Sequence, residues 1–162
     1  MLRPRIVAVA LSTLALAAVA CTPAGSSGSA SASASAAGGG GTTVNVTIKE
    51  FEVAPEVTSA PAGTITFHVT NDGPDDVHEF VVVKTDLAPD ALPTVDDGSV
   101  DEEGEGIEVS GEIEDIPVGE SQDVDMTLEA GAYVLICNIV EDEDGEAEAH
   151  YAMGMRTAFT VE

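Results

Sequence analysis

Three stretches of the chain alternate apolar and polar residues one by one, and that period limits what it can fold into. Val44, Val46 and Ile48 alternate with Thr43, Asn45 and Thr47. Ile65, Phe67 and Val69 do the same within Thr64 to Thr70, and Val124, Met126 and Leu128 are spaced by Asp125 and Thr127. A period of two places every second side chain on one face, the mark of a strand with one buried side. Phe80 to Val83 and Tyr133 to Ile136 are continuous apolar runs, as in strands buried on both faces. Thr157 to Val161 reads as a closing strand. Turn residues fall between these segments at Pro61-Ala62-Gly63, Asn71-Asp72-Gly73-Pro74, Pro117-Val118-Gly119 and Ala130-Gly131. Short strands punctuated in this way predict an all-β sandwich of about seven or eight strands. Asp86 to Gly111, rich in acid and glycine, reads as a long surface excursion with a short helix near Pro89 to Leu92.

The front of the chain is different. Arg3 and Arg5 precede an apolar run from Ile6 to Ala20 broken only by Ser12 and Thr13, and Cys21 follows the small residues Ala18, Val19 and Ala20. A basic start, a short apolar core and a small-residue cleavage site make a secretory signal. The run is short for a membrane span, which takes about 20 residues. The cysteine at its end resembles the lipobox of bacterial lipoproteins, with Ala18 where that pattern usually has Leu. The resemblance implies a signal peptide over residues 1–20, lipidation of Cys21, and an anchor on the outer face of the cytoplasmic membrane. Residues 21–41 are almost wholly Ser, Ala and Gly after the cysteine. With no large apolar group to offset ordering entropy, they are expected to form a disordered tether. About 20 such residues reach roughly 25 Å. The folded domain is expected over residues 42–162.

Charge excludes one class of partner. The chain carries 30 acidic against 5 basic residues, a formal charge of −25, and every Asp and Glu lies in the domain. Loss of Arg3 and Arg5 with the leader makes the balance more negative still. Nucleic-acid binding needs a basic surface and is excluded. Such charge favours a soluble monomer and steers cationic partners. Salt screens the self-repulsion, so a saline exterior suits it as well.

With Cys21 committed to lipid, Cys137 is the single thiol of the domain. An exported protein ordinarily pairs its cysteines, and a leftover one points to a reactive thiol, an intermolecular bond or a metal ligand. Cys137 ends the apolar run Tyr133 to Ile136. His150 follows after a hydrophilic stretch, Met155 lies five residues further on, and His78 stands just before Phe80. Two imidazoles and a thiolate with a distant thioether suit copper in both oxidation states. His68, between Phe67 and Val69, is expected to face away from the core, and Met126 to face into it. The acidic runs at Asp101 to Glu105 and Glu141 to Glu148 lack the ligand spacing of an EF-hand.

The segments Asn71-Asp72-Gly73, Val77-His78-Glu79-Phe80, Gly131 to Ile139 and His150-Tyr151-Ala152-Met153-Gly154-Met155 together resemble the cupredoxins. The likeness extends over most of residues 42–162. It implies a Greek-key β-sandwich and one type 1 copper ion, cycling between Cu(I) and Cu(II). The ligands it implies are His78, Cys137, His150 and axial Met155, with Met153 as the competing thioether. Tyr151 is a candidate shield for the metal. Two departures stand out. The family keeps only a few residues between the cysteine and the second histidine, whereas Asn138 to Ala149 intervene here. Such an insert either loops out and leaves the ligands in place, or loosens the site or brings a carboxylate to it. The other departure is Glu79, beside the first histidine, which favours Cu(II) only if it points inward.

The leading expectation is an electron carrier, not an enzyme, tethered outside the cytoplasmic membrane. Its redox partner would carry a basic patch, as a cytochrome or copper oxidase could. A copper-holding or copper-delivery protein without redox duty is the alternative, and a metal-free interaction module the third. Three histidines in all leave no second cluster for a catalytic metal, and no nucleophile-elbow motif occurs.

Overall fold

A computed structural model of the chain describes residues 41–143 and 145–162. The expected signal peptide, Cys21 and nearly all of the tether lie outside the described residues. Among the described residues no helix is long and apolar enough to cross a membrane.

The described chain is built of strands: β1 (Thr42–Lys49), β2 (Glu52–Pro55), β3 (Ser59–Ala60), β4 (Gly63–Asn71), β5 (His78–Lys84), β6 (Glu108–Ile116), β7 (Ser121–Leu128), β8 (Gly131–Ile136), β9 (Val140–Glu143) and β10 (Glu146–Ala149). A single helical turn, α1 (His150–Met153), precedes the last strand, β11 (Arg156–Val161). One sheet runs β2-β1-β4-β7 and the other β3-β11-β8-β5-β6, while β9 and β10 pair only with each other. Strand β1 runs parallel to β4, and β11 parallel to β3, so both sheets are mixed.

The alternating segments do what their period predicts. Val44, Val46 and Ile48 of β1 and Ile65, Phe67 and Val69 of β4 are buried and meet Phe80, Val82, Leu135 and Phe159 of the facing sheet. Phe67 joins the two layers, its ring centroid 5.3 Å from that of Phe80 and 5.7 Å from that of Phe159. Burying each such side chain contributes about 1.5–3 kcal/mol. On the opposite face of β4, His68 Nδ1 meets Asp123 Oδ1 of β7 at 2.6 Å, away from the core as expected.

The continuous apolar runs have a different cause. Phe80, Val82, Tyr133 and Leu135 enter the sandwich. Val81, Val83, Val134 and Ile136 form a second core on the outer face with Leu92, Val100 and Tyr151. The excursion therefore supplies a cover for this sheet and is more than a surface loop. It ends at Ile107, where β6 begins, instead of continuing to Gly111. Pro89 to Leu92 forms a turn and no helix, with a lone bridge from Thr94 to Val100. The Pro89 carbonyl and the Leu92 amide are both bonded to the Tyr151 hydroxyl, which takes backbone groups a helical turn would use.

Candidate metal centre

His78 opens β5, opposite Ile116 of β6. The loop before it is held by Asn71, a fully buried side chain. Asn71 Nδ2 donates to the carbonyls of Asp76 at 2.8 Å and Ile116 at 2.9 Å, while its Oδ1 accepts the Gly73 amide at 2.8 Å. That last bond closes a tight turn in which Gly73 takes a φ of 54°, a left-handed conformation that suits glycine.

Cys137 follows β8, and its amide donates to the Met155 carbonyl at 3.1 Å. His150 begins α1. The residues between them fold outward as the β9–β10 hairpin, closed at its base by the pairing of Val140 with Ala149. The His150 amide then donates to the Ile139 carbonyl at 2.9 Å. In space, His150 stands next to Ile139, so the insert leaves the ligand spacing short. It also brings a carboxylate near: Glu141, with Asp76, has a potential ligand atom within 4.8 Å of one on His150. Gly154, at φ 125°, ends the helical turn, and the Met155 amide returns to the His150 carbonyl at 3.0 Å. Met155 is wholly buried, whereas Met153 is 51% exposed.

Three donor atoms converge. His78 Nδ1 lies 3.1 Å from His150 Nδ1, and Cys137 Sγ lies 3.9 Å and 3.5 Å from those two atoms. A point equidistant from the three lies about 2 Å from each, the length of a metal–imidazole bond. His78, Cys137 and His150 are all at most 1% exposed, and the Phe51 ring packs edge-on against His150 at 5.4 Å.

The surroundings make the pocket hostile to charge of either sign. Burial pushes the Cys137 thiol up to about 11, against the pull of amide hydrogen bonds from Glu79 and Ile139. The Glu79 amide lies 3.3 Å from the sulfur. Burial, and then repulsion from His150, holds His78 below the usual imidazole range. A sulfur equipped with N–H donors, facing two imidazole nitrogens, fits a bound cation that draws out the thiolate. The trigonal set of two nitrogens and one sulfur, with a buried thioether nearby, is of the type that suits copper.

Glu79 points into neither the triad nor open water. Burial and the carboxylates of Glu102 and Glu112 raise its pKa to about 7, an effect the Asn138 amide opposes. On β5 it alternates with Phe80 of the inner core and shares the face of Val81 and Val83, the face that the excursion covers. Tyr151 is likewise elsewhere than expected. Its hydroxyl donates to the Pro89 carbonyl at 2.7 Å and accepts the Leu92 amide at 3.2 Å, bracing the excursion instead of shielding the triad. Asn138, which carries no signal of its own in the sequence, pins the same excursion beside Cys137. Its Oδ1 accepts the Val100 amide at 2.6 Å and its Nδ2 donates to Glu102 at 2.9 Å. Glu50 is equally illegible in the sequence. Burial opposes its ionisation, yet the amides of Asp76, Glu50 and Asp75, together with His78, hold it below the usual carboxylate range.

No protein-family model matches the sequence, and no curated protein does. Solved structures do. Dithionite-reduced auracyanin from the photosynthetic bacterium Roseiflexus castenholzii superposes with a TM-score of 0.54 at 23% identity, covering 76% of this chain and 99% of that one. Rusticyanin from Thiobacillus ferrooxidans gives 0.50 at 19% identity, covering 76% and 79%. Auracyanin A from Chloroflexus aurantiacus, described as a blue copper protein, gives 0.49 at 20% identity, covering 76% and 100%. At such identities the likeness speaks to architecture, and the architecture of this chain is the cupredoxin fold.

Proposed function

We propose that the chain holds one copper ion between His78, Cys137 and His150, with Met155 as the axial thioether, and carries single electrons. The observation that supports this best is the triangle of Nδ1, Nδ1 and Sγ atoms, 3.1 to 3.9 Å apart in a fully buried pocket. A bound copper ion would supply the one-electron couple. The protein's part is to keep the donors where they are in both oxidation states. His78 hangs from a β5–β6 pairing and the Asn71-held loop, while Cys137 and His150 are both bonded to the backbone of Met155. Such fixed ligands minimise rearrangement when an electron passes.

The carrier is placed outside the cytoplasmic membrane, held by lipid on Cys21 through the Ser/Ala/Gly-rich tether. The leader and lipobox-like residues support that placement. Its partner in electron transfer is a protein with a basic patch, as the formal charge of −25 recommends.

Reconstitution with Cu(II) tests the site. An intense thiolate-to-copper band in the visible spectrum, abolished by Cys137→Ser, is expected. A colourless protein, or colour that survives the substitution, defeats the reading. Reversible voltammetry separates a carrier from a protein that only holds or delivers copper. Intact mass of the chain recovered from membranes reads the lipid on Cys21.

A further inference from the structure

Two neighbouring side chains each keep one buried polar atom without a hydrogen-bond partner among the described residues. His78 is fully buried, and its Nε2 has no hydrogen-bond partner among the described residues. Glu50 Oε2 is in the same condition. The two side chains face each other, with Glu50 Oε1 3.7 Å from His78 Nε2. Buried groups of this kind are costly to leave unpaired.

Glu50 is held in place by other bonds. Its Oε1 accepts the Asp76 amide at 2.6 Å and the Asp75 amide at 3.1 Å. The carboxylate thereby ties the end of β1 to the loop that delivers His78. The other ring nitrogen, Nδ1, faces His150 Nδ1 and Cys137 Sγ. To offer a lone pair there, the neutral His78 ring must carry its proton on Nε2. That N–H then needs an acceptor, and Glu50 is the carboxylate within reach.

We propose that Glu50 accepts a hydrogen bond from His78 Nε2–H, fixing the tautomer and orientation of that ring and setting a negative charge behind it. This makes Glu50 a positioning residue for the metal centre, and the inference rests on the function proposed above. With His78 protonated on Nε2, the 3.1 Å contact between the two Nδ1 atoms of the metal-free chain becomes a hydrogen bond donated by His150. With copper bound, a carboxylate behind the imidazole strengthens it as a donor and favours the more positive oxidation state.

Glu50→Gln removes the charge and weakens the acceptor facing His78, while the amide oxygen can still hold the Asp75 and Asp76 amides. The first measurement is made on the full chain without metal, by long-range proton–nitrogen NMR of the histidines. A His78 Nε2 proton, shifted downfield and slow to exchange, is expected. Glu50→Gln should move it upfield and speed its exchange about tenfold. An Nδ1–H tautomer in the parent chain, or an unmoved proton in the variant, overturns the proposal. The second measurement uses the copper form. Glu50→Gln should lower the Cu(II)-over-Cu(I) preference about tenfold, a rise of about 59 mV in potential. Equal potentials overturn it as well. If Glu50→Gln does not fold, Glu50→Asp, whose shorter arm withdraws the charge from His78, is read in the same two ways. A chain that takes up no copper sinks the proposed function and leaves the metal-free measurement to judge Glu50.

Discussion

The amide of His150 donates to the carbonyl of Ile139 at 2.9 Å, although ten residues separate the two in sequence. That bond, with the Val140–Ala149 pairing outside it, makes the acidic insert a self-contained hairpin. The metal-facing parts of the chain do not depend on its length. Excision of Glu141 to Glu148, with Val140 and Ala149 joined by an Asn-Gly turn of the two-residue hairpin type, should therefore leave the copper spectrum in place. The visible band is the measurement, and its disappearance would show that the hairpin itself shapes the site. Loss of Glu141 from beside His150 should also raise the potential, because a nearby negative charge favours Cu(II).

The legibility of the site follows from how local each signal is. The alternation of β1, β4 and β7 is written in a few consecutive residues and points to those strands directly. The four candidate ligands are legible because Cys137, His150 and Met155 cluster near the end of the chain and His78 precedes a buried run. Strand β6 escapes notice because Glu108 to Ile116 carries acids and a glycine, and its pairing with β5 contains two irregularities. The excursion reads as surface because Leu92 and Val100 are isolated among polar residues. Only the fold brings them to Val81, Val83 and Tyr151. Glu50 is a similar case: its meaning depends on a loop some 25 residues away, which no local pattern announces.

Met155 and Met153 differ in burial so sharply that their substitutions should separate. Met155 is wholly enclosed and bonded through its backbone to His150 and Cys137, while half of Met153 is open to solvent. Met155→Leu should keep the visible band and raise the copper potential, since a weak thioether donor is lost and the pocket stays apolar. Met153→Leu should leave both within error. Voltammetry and absorption on the two variants check this, and a potential that follows Met153 instead would reassign the axial ligand.

Asn71 carries three hydrogen bonds on a fully buried side chain. Asn71→Ala leaves the Asp76 and Ile116 carbonyls and the Gly73 amide without their partner. The expected loss of stability is about 2–3 kcal/mol, at the upper end for a buried polar network. Urea unfolding should show a lower midpoint at unchanged slope. Because the same bonds hold the loop before His78, copper affinity should fall along with stability. Asn71→Asp should do no better, since a carboxylate cannot donate to the two carbonyls.

Glu79 gives the metal-free domain a pH dependence that can be isolated from its many other carboxylates. Burial first, then Glu102 and Glu112, raises its pKa from 4.5 to about 7 in the folded chain. A carboxyl whose folded value lies above its unfolded one binds its proton more tightly in the native state. Its contribution to stability is complete below about pH 4.5 and is lost as the pH rises through about 7. The size is about 1–3 kcal/mol, reduced from the full shift because the side chain is only partly buried. Glu79→Gln should consequently match the parent near pH 4.5 and exceed it in stability at pH 8. Urea midpoints of both metal-free chains at the two pH values, at one fixed ionic strength, provide the comparison. A stability difference that does not change with pH would place the Glu79 carboxylate in water instead of beneath the excursion.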